Sequence, residues 1–188
     1  MAAQETRQVE EDLTYIRGAV ERMEDAPYES VTIAVLWAVI ITGGFSINDF
    51  RPEFSMIYWP VASITGYLVS LFIGRRASTE AGECSAQDAR LHALHWGSIF
   101  FLSIAVLVIG LNHGLSGAAL GQLFTLVGGA GCFLGGLHLD RRFMLPGAIM
   151  IVGAPAISYI QPYPWTIVGL AIGIALVVSA VKLKPSNE

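Results

Sequence analysis

Four side chains near two helix ends carry the ligand chemistry in this sequence. They are His92, His95, His138 and Asp140. His92 and His95 stand three apart, the spacing of neighbours on one helix face. His138 and Asp140 follow the next apolar run. If the two runs form an antiparallel hairpin, the four side chains reach similar depth. Imidazole and carboxylate ligands together could hold a metal ion. The competing reading is that these histidines wet helix ends at an interface. His113 stands by itself in a turn.

A second pattern is Gly129-Ala-Gly131-Cys-Phe-Leu-Gly135, which reads G-x-G-x-x-x-G. A dinucleotide loop of that kind needs a preceding strand and a water-exposed helix start. Here the glycines lie midway through an apolar run. The acid expected about twenty positions on, to hold a ribose, is missing. Nucleotide binding is excluded on those grounds. Helical spacing gives the other reading: Gly117, Gly121, Thr125, Gly128, Cys132 and Gly135 form a stripe of small residues from one end of the run to the other. Such stripes let helix backbones approach closely in lipid. The stripe therefore predicts a helix-packing face on a central span. Gly110 to Gly114 and Gly169 to Gly173 repeat the spacing.

The rest of the sequence says what must position these residues. The chain has 188 residues, 54% hydrophobic and 14% charged, against about a quarter charged in soluble domains. Six apolar runs occupy residues 31–47, 54–73, 92–111, 115–137, 143–160 and 163–181, and none contains Lys, Arg, Asp or Glu. A bilayer core about 30 Å thick takes roughly 20 helical residues to cross. The predicted fold class is all-α: a polytopic membrane protein of six transmembrane helices in three hairpins. The domain layout is a head at 1–30, a transmembrane domain at 31–184 and a tail at 185–188. The head lacks a signal-peptide pattern, so the first span is expected to direct its own insertion. Cys84 and Cys132 are too few for a disulfide framework.

Basic residues set the expected orientation, because cytoplasmic loops gather Lys and Arg. Arg75, Arg76, Arg90, Arg141, Arg142, Lys182 and Lys184 all fall at one face of a six-span layout, and Arg51 falls at the other. Both termini are therefore expected in the cytoplasm, with the protein in the inner membrane. "IYWP" and "QPYPW" place Trp and Tyr at the outer interface, as an aromatic belt.

The head has a different character. Residues 1–30 hold eight acids and three arginines, a net of −5. Val9, Leu13, Ile16, Val20 and Met23 are spaced 4, 3, 4, 3, which is an a/d stripe on an amphipathic helix. Pro27 is expected to end or kink it. Interfacial helices favour basic polar faces. This one is acidic, so docking on protein is the preferred reading.

Transport machinery places ionisable groups within the spans, and the six runs have none. Gln122 is the most costly polar group among them and is a candidate for a bond between helices. Ser98 and Ser103 follow His95 without an acid partner, so no acyl-transfer site can be assembled. No enzyme signature emerges, and no cofactor is implied. The opening "YIRGAVERMEDAPYESV", followed directly by spans, resembles short bacterial six-span inner-membrane proteins of unassigned function. That resemblance implies location and layout without activity. The expected function is a membrane interaction protein without catalysis: an accessory, assembly or regulatory subunit. A small oligomeric transporter or channel is the alternative, and metal or haem binding through the histidines a third. Expected partners are the lipid bilayer and a second copy or another membrane protein, with no nucleic acid and no nucleotide.

Overall fold

Long apolar segments in lipid must satisfy every backbone polar group internally, and helices do so within one segment. The computed structural model describes residues 27–81 and 86–182 and is all-α. Its helices are α1 (Pro27–Phe50), α2 (Ser55–Ala81), α3 (Ala86–Asn112), α4 (Gly117–His138), α5 (Met144–Ala156) and α6 (Pro164–Lys182). Two short 3-10 turns, Pro52–Phe54 and Arg141–Phe143, precede α2 and α5. Five helices are long and apolar enough to cross a membrane: all but α5. Residues 9, 13, 16, 20 and 23, the predicted head stripe, lie outside the described residues. The described part of α1 opens at Pro27.

The run at 143–160 departs from the expectation of a continuous spanning helix. Its helix has 13 residues, a length of about 20 Å at 1.5 Å per residue. Pro155 removes the bond to the Ile151 carbonyl in its last turn, and Pro162 and Pro164 bar the helix from running on into α6. The chain turns through 157–159 instead, with Ser158 and Tyr159 amides bonded to Pro155 and Ala156 carbonyls at 3.2 and 2.9 Å. Even so, this segment travels along α4. Gly136 of α4 faces Met144, Gly129 faces Met150, Gln122 meets Ser158, and Gly121 faces Trp165. The first run also departs from expectation at its end, since α1 continues past 47 to Phe50 and takes Asp49 into its last turn.

Packing follows a row rather than sequence order. α2 packs on α1, α1 on α6, α6 on α5, α5 on α4 and α4 on α3. α2 and α3 are consecutive, yet they stand at opposite ends of the row. Only 6% of each of their spanning windows is buried, against 44% for α6. The core is Phe45, Met150, Ile157, Trp165, Val168 and Ile172, joining α1, α5 and α6. Trp165, expected in the interfacial belt, is instead buried against Phe45 with ring centroids 5.7 Å apart. Trp59 meets the other edge of Phe45 at 5.9 Å.

The tightest interface is between α4 and α5. A methyl group on Gly147 would collide with the Phe133 amide nitrogen and stand 2.8 Å from its Cα. One on Gly136 would stand 2.6 Å from the Met144 nitrogen, and one on Gly129 2.9 Å from the Ile151 nitrogen. The obstacles are backbone atoms, which cannot swing aside. Gly97 on α3, by contrast, has nothing within 4 Å. Gly147→Ala should therefore destabilise the protein by about 1–3 kcal/mol through overpacking. Gly97→Ala should be neutral or stabilising by up to about 1 kcal/mol through helix propensity. Thermal unfolding of both variants in one detergent checks this, and equal effects would refute the close-packing account.

Candidate functional site

The helix ends sort onto two faces. Trp37 lies beside Ser70, Gly169 beside Phe45, Gly173 beside Thr42, and Gly131 beside Ile99. These contacts make α1 antiparallel to α2 and to α6, and α3 antiparallel to α4. Arg76, Arg90, Arg141, Arg142 and the α6 terminus at Lys182 therefore share one face. Asp49, Arg51, Glu53 and the start of α6 share the other. Each face carries one cluster of polar chemistry.

On the basic face, His95 reaches from α3 to α4. Its Nε2 lies 3.0 Å from the Gly131 carbonyl oxygen, and the same nitrogen would stand 3.0 Å from a methyl on Gly135. The absent side chain at Gly135 is what admits the ring. His138 closes over it with ring centroids 4.8 Å apart at 72°. Trp96 packs edge-on to Phe143 at 5.6 Å, tying α3 to the Arg141–Phe143 turn. Asp140 serves that turn as its cap: its Oδ1 accepts from the Arg142 amide at 2.9 Å and lies 3.8 Å from Arg142 Nε. So of the four predicted ligands, His95 and His138 come together, Asp140 is engaged in a cap, and His92 is an exposed residue on α3. Among the described residues no group of three His, Cys, Asp or Glu side chains is placed to hold a metal ion. His95 spends a ring nitrogen on a backbone carbonyl.

The predicted packing stripe is divided between several neighbours. Gly121 faces Trp165, Gly128 faces the Met150 methyl at 3.1 Å, Cys132 lies against Gly147, and Gly135 faces His95. Thr125 is 5% exposed, and its hydroxyl donates to the Gly121 carbonyl at 2.8 Å. Gly117 has open space around it. Gly129, Gly136 and Gly147, which make the closest backbone contacts, were not in the stripe. The seven-residue step from Gly129 to Gly136 is the signal that points to them. Gln122 does bond between segments, its Nε2 donating to Ser158 Oγ at 2.7 Å.

On the opposite face, Asp49 is the residue that sequence reasoning passed over. Its carboxylate accepts from the Thr166 amide at 2.7 Å and from the Trp165 amide at 3.4 Å. It thus caps α6 from α1, where a negative charge also suits the helix dipole. The residue before α6 is Tyr163, held at φ 60°, and it has no capping side chain. A helix start without a local Ser, Thr, Asp or Asn is the cue that a cap comes from elsewhere. Around it, Ser55 donates to Asn48, and Thr42 donates to the Gly169 carbonyl at 3.2 Å. Tyr58 donates to the Ile40 carbonyl at 2.7 Å. Thr166 Oγ1 is buried without a hydrogen-bond partner.

The chain matches no protein-family model. Comparison with curated proteins and with solved structures likewise finds no match.

The two adjacent polar groups at α6 should respond in opposite directions. Asp49→Ala should cost about 1 kcal/mol, the usual value of a helix cap. Thr166→Val removes a buried hydroxyl that makes no bond, so it should be neutral or stabilising. Chemical or thermal unfolding in detergent checks the pair. A destabilised Thr166→Val beside an unaffected Asp49→Ala would contradict this assignment.

Proposed function

We propose that the protein is an integral membrane interaction subunit, acting in the assembly or regulation of a membrane complex without catalysis. The observation that carries this reading is the pair α2 and α3. Both are long enough to span, both are only 6% buried, and each packs on a single helix of the row. They present Met56, Phe72, Phe100 and Phe101, each 62–76% exposed, and carry the open Gly74 and Gly97. Lipid supplies no hydrophobic force that drives helices together, so open small residues, where backbones can approach closely, are what favour a helix from another chain.

In the reading proposed, residues 144–163 complete a sixth crossing as a broken segment, and both termini lie in the cytoplasm. The basic face supports that orientation through the excess of Arg and Lys. Ser98 and Ser103 hydroxyls donate to carbonyls of their own helix at 2.7 and 2.8 Å, which suits packing rather than nucleophilic chemistry.

A second reading, a small oligomeric transporter, is favoured by one feature. The broken segment after α5 meets the start of α6 beside the Asp49 carboxylate, and interrupted helices with charged ends form transport sites elsewhere.

Photo-crosslinking separates the outcomes. A crosslinker at Phe101 or Phe72 should give discrete protein adducts in native membranes, and one at Val152 serves as a lipid-exposed comparison. Adducts to lipid alone at all three positions, with a monomer by native mass spectrometry, would reject the interaction reading. Solute flux into proteoliposomes would favour the second.

A further inference from the structure

The two margins of the helix row are tied to each other at the basic face. α2 ends at Ala81 and α3 starts at Ala86, so five Cα–Cα steps join them. At 3.8 Å per step the two ends stand no more than about 19 Å apart. α2 and α3 are nonetheless not packed on one another. Directly packed helices sit about 8–10 Å apart, so one intervening helix takes roughly 16–20 Å. The opening between the margins therefore has room for one helix at this face and no more.

Contacts within the row show which sides of α2 and α3 are turned away from it. On α2, Gly66 faces Ile40 and Ser70 accepts from Trp37, so both look at α1. Leu68 is two residues from each, which puts it on the opposite side of the helix, and it is 59% exposed. On α3, His95 and Ile99 look at α4. Gly97 is two residues from each, and nothing lies within 4 Å of a methyl placed on it. Phe101, one turn on, shares that side and is 72% exposed. Each of these apolar sides leads to an exposed arginine at the basic face. Arg76 stands five residues before the end of α2, and Arg90 four after the start of α3. At 1.5 Å per residue the two are level to within about 2 Å.

We propose that a single transmembrane helix of a different protein enters between α2 and α3, with acidic residues at its end meeting Arg76 and Arg90. This rests on the interaction reading above and specifies the partner's chemistry. A second copy of this chain is disfavoured, because its own free margins end in the same arginines and like charges would meet at that level. In lipid a helix is held where backbones can approach closely, and the space at Gly97 allows that approach. Opposite charge at the helix ends then fixes the depth and register of the incoming span.

The test uses the full chain in native membranes, with a photo-crosslinker at Leu68 in one variant and at Phe101 in another. Both should capture the same protein, and mass spectrometry should map both adducts to one apolar span that ends in Asp or Glu. R76E/R90E should lose the two adducts together, and R76K/R90K should keep them. Should R76E/R90E fail to insert, G97W fills the open space and must lose both adducts, while V152W on α5 keeps them. Different proteins captured at the two positions, or capture at one position only, overturn the proposal and leave the interaction reading standing. So does an adduct to a second copy of this chain, or one that survives both R76E/R90E and G97W. Adducts to lipid alone at both positions overturn the proposal and the interaction reading together.

Discussion

Helices in hydrocarbon gain nothing from burying apolar side chains, so their association depends on how closely backbones can approach. This fold rests on one such approach. Gly129 and Gly136 on α4 and Gly147 on α5 bring two helix backbones together without intervening side chains. The short, proline-limited α5 is held along α4 by that contact. It in turn presents Met150 and Ile157 to the core shared with Phe45, Trp165 and Ile172. Remove the close approach and α4 keeps only its Gly121–Trp165 and Gln122–Ser158 contacts toward the α1–α6 pair.

Polar groups then finish what packing begins. Where a helix starts without a cap of its own, a carboxylate from another helix supplies it, as Asp49 does for α6. Where α3 has a single helical neighbour, a ring nitrogen of His95 fastens it to a carbonyl of that neighbour. Both bonds exploit the low local dielectric, in which a satisfied polar pair is strong and an unsatisfied group is costly. Both also join elements that the apolar pattern by itself leaves free to slide.

The row of helices explains why the two ends of the molecule differ from its middle. α1, α5 and α6 pack closely on one another, with Ile172 fully enclosed. α2 and α3 contribute length and apolar surface and are buried little. The polar faces show a similar division: five bases gather where α2, α4 and α6 end and α3 begins, and acids at the other end act in caps and turns. A fold of this kind is closely packed at its centre and leaves its margins little buried.

Much of this was legible from the residues. Apolar runs of about twenty without charges dictate helices in lipid, because nothing else satisfies the backbone there. The small residues of 115–137 marked α4 as a packing helix, and Gln122 declared itself as a bond between segments. Other features were decided only in three dimensions. Which glycines make the closest contacts depends on the helix rotation, which neighbouring ridges set, so Gly129 and Gly136 mattered more than Gly117. The 143–160 run has a spanning composition, yet its helix ends at Ala156 and the chain turns where Ser158 packs against α4. The four candidate ligands share a depth, but His95 is turned toward Gly131 by the gap at Gly135. Asp49 carries no signal in the sequence because its partner lies over a hundred residues away, at a helix start whose own sequence has no cap. Composition and period depend on the solvent around a segment, and the sequence carries them whole. Rotation, register and long-range caps depend on neighbours, and those exist only in the folded chain.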